Sequence, residues 1–448
     1  MFTILAYLQF LIAGAFLLLS PILSMPSRTR IKWFGFIWIE LYVAQLFMYM
    51  PGADVSPYAF ATSRIQAIRI AGLTSSAFIS IALLVYCFFC ILYKRNLKSK
   101  RSLYIIIIFS LIPSLISLFR SESIVSNIDY FVKIVSPFIV CVFIATYTLR
   151  RSDTRRLSGI ITGIHIFLIV QVLVCKVLQG NFAAYNYYYE MQEEYFGYYN
   201  HPHSFTGMMA VLSIWNVYQI NCRRNVALNF ALFLISFVLM YISGVRTYFV
   251  ALAFALCYLA IAALRRSSMR KLRKYIYIAM VIVVIIGPSL VMNFGTMRVT
   301  GDVSSGRFER WAADIAYALS TNSLADMLFG AGLQASVEAN ATLFGTSINS
   351  LNIFVDMFMD NGIIGTIMML IAYYYLFKLN YVKQARGFQG SLLVFFVIAS
   401  LITSVVTYVT IMFMIVVMLS VMNAEACDDI ISQKHKLRNI EHSIQCRA

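Results

Sequence analysis

Hydrophobic runs of roughly 17 to 25 residues recur along almost the whole of this chain, separated by short charged connections. A helix of about 20 apolar residues crosses the roughly 30 Å hydrocarbon layer of a bilayer, so each run is long enough to span a membrane. Only 12% of the 448 residues are charged, whereas a soluble domain has about 25%. The sequence therefore predicts an all-α, polytopic integral membrane protein in which residues 1–448 form one membrane domain.

The apolar runs predict about 13 transmembrane helices, within a range of 12 to 14. The last hydrophobic block is assigned two helices because both of its flanks have cytoplasmic character. The predicted spans are 2–24, 31–50, 71–93, 103–119, 131–149, 159–178, 203–220, 226–243, 246–264, 275–292, 353–377, 390–405 and 407–423.

Basic residues cluster at every second connection, and these clusters hold 27 of the 36 lysines and arginines. Because cytoplasmic loops carry an excess of basic residues, the N-terminus is predicted outside and the tail 424–448 in the cytoplasm. Two long connections, 180–202 and 293–351, then lie on the outer face, and loops of this length are more often functional than idle. The net charge of +17 is explained by this topology, and we predict no nucleic-acid partner.

The run from Val226 to Leu264 contains a single charged residue, Arg246. An arginine at the centre of a bilayer costs at least about 2.5 to 3.5 kcal/mol. The predicted topology avoids this cost because it places Arg246 at the outer tip of a hairpin in which Ser243 and Gly244 form the turn. Arg246 is then either an interfacial anchor or a ligand-binding residue, and this segment alone leaves both open.

The connection 293–351 contains SSGRFERWAADIAYAL, which predicts an amphipathic helix lying on the membrane surface. At 3.6 residues per turn, Arg307, Arg310 and Asp314 share one face and apolar residues form another. Two arginines suit a diphosphate, because its oxygens accept bidentate, charge-assisted hydrogen bonds. The alternative is a solvated face on which arginine and aspartate pair internally.

A glycine-containing turn, FGAGLQ, follows, and then a predicted membrane helix with a polar stripe at its outer end. Asn352, Asp356 and Asp360 form this stripe because they are spaced four residues apart. A carboxylate in this position suits a general base. The alternative is that the acids cap the start of the helix and are solvated or paired with arginines.

The other long connection reads EMQEEYFGYYNHPHSF. Glu193 and Glu194 lie among tyrosines, a combination that suits sugar binding; the alternative is an aromatic belt at the membrane interface. His201 and His203 have a spacing that only weakly indicates a metal site, and a role at the start of the next helix is favoured. We predict no metal and no cofactor.

Four segments, SGVRTYFVAL, SGRFERW, FGAGLQ and SLNIFVDMFMDNGIIG, follow one another in this order. Together they resemble the O-antigen polymerase (Wzy) and O-antigen ligase superfamily over roughly residues 196–378. The resemblance implies a metal-independent glycosyltransferase of the GT-C type in the bacterial inner membrane. Its active site would face the periplasm and take glycans linked to undecaprenyl diphosphate. Arg246 matches the hairpin arginine of the family, Arg307 the loop arginine, and Gly362 and Gly365 the closing GxxG pattern; His203 lies where the family often has Pro-Asn.

One departure bears on the activity. Ligases and many relatives carry His-Asn about eleven residues before the first of those glycines, where this chain has Leu351-Asn352. The missing histidine favours a polymerase, which would join lipid-linked oligosaccharide repeat units into O-antigen or a related surface polysaccharide. The alternatives are a ligase that transfers the glycan to lipid A-core, and a flippase for the same lipid-linked oligosaccharides.

The motifs and the resemblance together predict roles for ten residues. Arg246, Arg307 and Arg310 hold the diphosphate; Asp356, or else Asp360 or His203, is the catalytic base; Asn352, His201, Glu193 and Glu194 orient the sugars. The implied partners are undecaprenyl-diphosphate-linked oligosaccharides as donor and acceptor, membrane lipids, a chain-length regulator and a flippase.

Overall fold

The computed structural model describes residues 2–25, 29–44, 70, 73–93, 101–147, 149–179, 202–243, 245–264, 307–321, 323–345, 349–379, 386–403 and 408–426. Over these ranges the chain folds mainly into α-helices, with an isolated β-bridge between Ile70 and Leu73. The predicted all-α class is confirmed for this part of the chain. The predicted span 275–292 lies outside the described residues, as do nearly all of connection 180–202, the first part of connection 293–351 and most of the tail.

Fifteen helices lie in the described ranges. They are α1 (Phe2–Leu23), α2 (Arg30–Val43), α3 (Ser75–Leu92), α4 (Arg101–Arg120), α5 (Ile124–Thr146), α6 (Arg151–Gln179), α7 (Pro202–Asn221), α8 (Val226–Ile242), α9 (Arg246–Leu264), α10 (Arg307–Thr321), α11 (Leu324–Phe329), α12 (Ala335–Phe344), α13 (Ile353–Leu379), α14 (Arg386–Ile402) and α15 (Val409–Ala426).

Within the described ranges, six helices are long and apolar enough to cross a membrane: α3, α4, α5, α6, α13 and α15. The chain is therefore a membrane-embedded helical protein. Twelve of the predicted spans fall wholly or largely on described residues, and each of them coincides with a helix. The total of about 13 crossings stays a prediction.

The helices pack around a continuous apolar core. α3 lies against α1, α2 and α5, α4 lies against α5 and α13, and α9 lies against α7 and α14. Trp38, Trp215 and Phe138 are fully buried between helices, and rings of this size contribute much of the buried area of a core. Large apolar side chains such as Leu18 of α1 and Phe230 of α8 stay exposed. Exposed apolar faces of this kind suit contact with lipid chains.

Two segments that the charge pattern assigns to the same face of the membrane are in contact in the structure. Arg224, in the connection after α7, pairs with Glu425 at the end of α15, and Glu425 also accepts the Tyr218 hydroxyl at 2.6 Å. The charge pattern assigns both of these connections to the cytoplasmic face. The opposite end of the bundle, which the same pattern assigns to the outer face, is called the outer end below, and it carries α10, α11 and α12.

α13 is interrupted at Gly362, whose φ of 65° and ψ of −174° are not helical. The sequence predicts a continuous helix over 353–377, so the break is a difference between prediction and structure. Its physical reason is a neighbouring backbone: a Cβ on Gly362 would lie 2.5 Å from the amide nitrogen of Gly330. Ala331 N donates to Met359 O at 3.0 Å across this contact. The interrupted backbone is thus covered by protein, as irregular structure in a membrane helix requires.

The FGAGLQ segment forms the predicted glycine turn, with φ of 88° at Gly330 and 127° at Gly332. The end of α4 holds this turn in place. Arg120 Nε donates to Gly330 O at 2.7 Å and the Arg120 guanidinium pairs with Asp326 of α11. Asp326 and Ser323 form a reciprocal capping box at the start of α11. The connection that precedes α13 is therefore seated on the outer ends of α4 and α13.

Candidate functional site

The candidate site lies at the outer end, where the starts of α7, α9, α10 and α13 meet the end of α14. We call it the outer site and define it by His203, Tyr248, Arg307, Asn352 and Asp356. These residues come from four helices and from the residue just before α13. The structure therefore gathers residues that are up to about 150 positions apart in the chain.

Arg307, the first residue of α10, connects two other parts of the outer site. Its Nη1 donates to the carbonyl oxygen of Ile402 at 2.9 Å and to Thr247 Oγ1 at 3.4 Å. The last carbonyls of a helix have no partner within it and carry partial negative charge, so the end of α14 is a natural partner for a guanidinium. Thr247 follows Arg246 in the chain, and Arg246 is partly exposed at the start of α9. The predicted hairpin and the predicted loop arginine are thus adjacent.

The hairpin between α8 and α9 is held to the start of α7. Ser243 and Thr206 share a hydrogen bond of 2.7 Å between their hydroxyls, and Ser243 Oγ also accepts from Val245 N at 3.5 Å. One turn earlier on α7, the ring of His203 meets the ring of Tyr248 edge to face, with centroids 6.3 Å apart. His203 therefore belongs to the same cluster as Arg307 rather than to a separate surface.

Asn352 is the residue before α13 and caps it. Its Oδ1 accepts from Phe354 N at 2.9 Å, and its Nδ2 donates to Leu401 O at 3.2 Å. Leu401 and Ile402 are consecutive, so the end of α14 accepts hydrogen bonds from both Asn352 and Arg307. Because both side chains bond to the end of α14, Arg307 is held close to Asn352 and to the start of α13.

Asp356 lies one turn into α13 and is buried. Its Oδ1 accepts from Ser350 N at 2.9 Å, and the carbonyl of Ser350 accepts from Trp311 Nε1 of α10 at 2.7 Å. Leu351, between Ser350 and Asn352, has a φ of 57°. One oxygen of Asp356 therefore organises the tight turn before α13, which agrees with the capping alternative.

Asp360 is also buried, and it faces a different set of groups. The carboxylate lies near the backbone amides of Gln334 and Ser336, at the start of α12, and near the hydroxyl of Tyr130 in α5, and its Oδ1 has no hydrogen-bond partner among the described residues. A carboxylate is stabilised at a helix N-terminus. Asp360 thus occupies the junction of α5, α12 and α13, whereas the contacts of Asp356 run towards α10.

The amphipathic character of α10 is confirmed, and the structure shows how its faces are used. Phe308 and Leu319 are 67% and 57% exposed, whereas Asp314 is fully buried and its Oδ2 accepts from Asn340 Nδ2 at 3.1 Å. The Arg310 guanidinium lies over the ring of Phe344, 5.4 Å from its centroid. The polar face turns towards the protein and the apolar face outwards, an arrangement that suits a membrane surface and differs from a solvated arginine face.

Asp314 offers a test of this burial through its pKa. Burial raises the pKa of this carboxyl above its ordinary value of 3.8, against hydrogen bonds from Ser350 and Asn340 and the charge of Arg310. A raised folded-state pKa means that its contribution to stability is complete below about pH 3.9 and is lost as pH rises through the folded pKa. Asp314→Asn should therefore remove the loss of thermal stability that this carboxyl causes as pH rises above about 4, and it should leave stability at pH 7 equal or higher.

The matched variant is Asp326→Asn, because hydrogen bonds from Ser323 and Arg120 lower the pKa of Asp326. Its contribution to stability is present above the unfolded pKa and is lost as pH falls. We expect Asp326→Asn to lower the thermal midpoint at pH 7, where Asp314→Asn does not. A lower midpoint at pH 7 for Asp314→Asn would show that the ionised carboxylate stabilises the fold.

Three predicted site residues, Glu193, Glu194 and His201, lie outside the described residues. The sequence motifs missed Tyr248, Thr247 and Trp311, which contact or approach the predicted groups. The only signal for them was position, since Thr247 and Tyr248 immediately follow Arg246. In the part of the chain that the structure describes, no three His, Cys, Asp or Glu side chains are grouped as metal ligands would be.

Comparison with known proteins found no matching family model, no matching curated protein and no matching solved structure.

Proposed function

We propose that this protein is a polymerase that joins undecaprenyl-diphosphate-linked oligosaccharide repeat units into O-antigen or a related surface polysaccharide. The observation that carries the proposal is the contact of Arg307 with Thr247 and Ile402. This contact joins the hairpin arginine segment, the loop arginine and the end of α14 at one end of a membrane bundle, and Asn352 joins the start of α13 to the same end of α14. In this proposal the protein is a GT-C-type glycosyltransferase of the bacterial inner membrane, and the outer end faces the periplasm.

The donor is the growing glycan on undecaprenyl diphosphate, and the acceptor is a hydroxyl of the terminal sugar on a new lipid-linked unit. The bond from the anomeric carbon to the diphosphate oxygen breaks, and a bond from that carbon to the acceptor oxygen forms. Undecaprenyl diphosphate leaves with an additional negative charge. Arg246 and Arg307 hold the diphosphate and stabilise that charge. Arg310, which lies over Phe344, contributes less to both.

The acceptor hydroxyl loses its proton to a base, and Asp356 is our first choice. Asn352, one turn before Asp356, shares the end of α14 with Arg307, so Asp356 is close to the proposed diphosphate site. Asp360, one turn further along α13, and His203, whose ring lies against that of Tyr248, are the next choices. Asn352, His201, Glu193 and Glu194 orient the sugars. A flippase and a chain-length regulator are the proposed protein partners.

The proposal is tested by analysing the surface glycan of a strain that lacks the gene. A polymerase defect leaves a single repeat unit attached to lipid A-core. Long chains that stay on undecaprenyl diphosphate would instead identify a ligase, and repeat units trapped on the cytoplasmic face would identify a flippase. Complementation with the wild-type gene must restore the long polymer, and complementation with Asp356→Asn must not.

A further inference from the structure

The hydroxyl of Tyr248 is a buried polar group that the structure leaves without a hydrogen-bond partner among the described residues. The side chain is 0% exposed. Buried polar groups in native proteins nearly always have a partner, and each exception calls for an explanation such as a catalytic role or a bound group. By contrast, the hydroxyls of Tyr86 and Tyr42, also buried, donate to the carbonyls of Arg30 at 2.9 Å and Thr410 at 3.0 Å.

The ring of Tyr248 is clamped, so its hydroxyl cannot turn away to find a partner. Phe395 of α14 stacks on it with centroids 6.2 Å apart and planes 20° apart. On the side of α7, a Cβ on Gly207 would lie 2.8 Å from Cζ of Tyr248, the carbon that carries the hydroxyl. The edge of His203 lies against the same ring. This packing holds the hydroxyl in one place before any ligand binds.

Tyr248 lies next to the residue that Arg307 contacts. Arg307 Nη1 donates to Oγ1 of Thr247, which precedes Tyr248 in α9. A guanidinium offers only donors, and a tyrosine hydroxyl also has one proton to donate. A ligand that presents several anionic oxygens, such as a phosphate, can accept hydrogen bonds from both groups at once.

We propose that the Tyr248 hydroxyl donates a hydrogen bond to a phosphate oxygen of the undecaprenyl diphosphate, next to Arg307, and so contacts the leaving group of the reaction. This inference rests on the proposed function for the identity of the lipid. It adds a neutral donor to the two arginines, and a donor held rigidly in a water-poor site stabilises developing charge without reorganisation.

The test compares Tyr248→Phe with the wild type, in nanodiscs, by two measurements. Binding of undecaprenyl diphosphate should weaken about tenfold or more, the usual effect of losing one hydrogen bond to a charged group. The thermal midpoint should stay the same or rise, because the hydroxyl has no partner to lose within the described protein. Tyr86→Phe is the matched control: it should lower the thermal midpoint and leave binding unchanged, because its hydroxyl donates to Arg30 O at the opposite end.

Unchanged binding of undecaprenyl diphosphate by Tyr248→Phe would overturn the inference, and so would a fall in its thermal midpoint, which would reveal a structural partner. The two proposals fail in different ways. If the wild type forms polymer and Tyr248→Phe binds the lipid normally, the polymerase stands and the tyrosine contact falls. If the wild type binds the lipid and Tyr248→Phe weakens that binding, yet no polymer forms, the contact stands and the polymerase falls.

Discussion

Gly362→Ala is expected to lower the free energy of unfolding by more than about 4 kcal/mol, a range reached by few single substitutions. Two effects combine. Gly362 has a φ of 65° and a ψ of −174°, a region open essentially to glycine alone, where another residue costs about 1 to 3 kcal/mol. In addition, the new Cβ would lie 2.5 Å from backbone atoms of Leu328, Phe329 and Gly330. Backbone cannot move aside as a flexible side chain can, so the FGAGLQ turn must separate from α13.

Two other glycines separate these effects. Gly345 has a φ of 66° and a ψ of 18°, and a Cβ there would meet nothing within 4 Å, so Gly345→Ala should show the cost of a positive φ without a clash, about 1 to 2 kcal/mol. A Cβ on Gly163 of α6 would also meet nothing within 4 Å, and Gly163→Ala should be neutral or stabilising by up to about 1 kcal/mol. Thermal unfolding in detergent, with size-exclusion profiles, measures all three.

If Gly362→Ala unfolds at the same temperature as Gly345→Ala, then the close approach of the two backbones does not stabilise the fold. If Gly362→Ala unfolds at a much lower temperature, as expected, then substitution of Gly330, the other glycine of the contact, should lower the unfolding temperature as well. Gly330 has a φ of 88°, and its Cβ would lie 2.0 Å from Asp360 O. Gly330→Ala is therefore a repeat of the experiment from the opposite side of the same contact.

Arg307→Ala is expected to reduce the rate of polymer formation by about 10²- to 10³-fold, the usual effect of removing one group that stabilises developing charge. Arg307→Lys keeps the charge but loses the planar fork that binds two phosphate oxygens, so we expect a loss of about tenfold. The rates are measured with purified enzyme and lipid-linked repeat units at saturating substrate, which separates the chemical step from binding.

Arg310→Ala is the comparison variant for Arg307→Ala, because it removes the same charge from the same helix. Since Arg310 lies over Phe344, we expect a loss of only a few-fold. The hydrogen bond from Arg307 to Ile402 O also supports the fold, so the thermal midpoint of each variant must be recorded. Equal activities for Arg307→Ala and Arg310→Ala, with both proteins folded, would remove Arg307 from the proposed site.

The sequence by itself determined where the long apolar helices of the described ranges lie, and its charge pattern predicts which connections share a face of the membrane. Both properties are local: the length of an apolar run sets whether it spans a bilayer, and the basic residues beside it set its direction. The hairpin before Arg246, the amphipathic helix from Arg307 and the FGAGLQ turn are likewise short-range features. Their predicted positions agree with the structure to within a few residues.

Only the tertiary structure decided which segments contact one another. Arg307 and Ile402 are 95 residues apart in the chain, and Ser117 donates from 243 residues away to the carbonyl of Asp360. No periodicity or local charge pattern encodes such pairs, because they depend on how whole helices pack. The same packing interrupts α13 at Gly362, turns the polar face of α10 inwards and brings Asp360 near the start of α12. It also leaves the buried Tyr248 hydroxyl without a hydrogen-bond partner among the described residues.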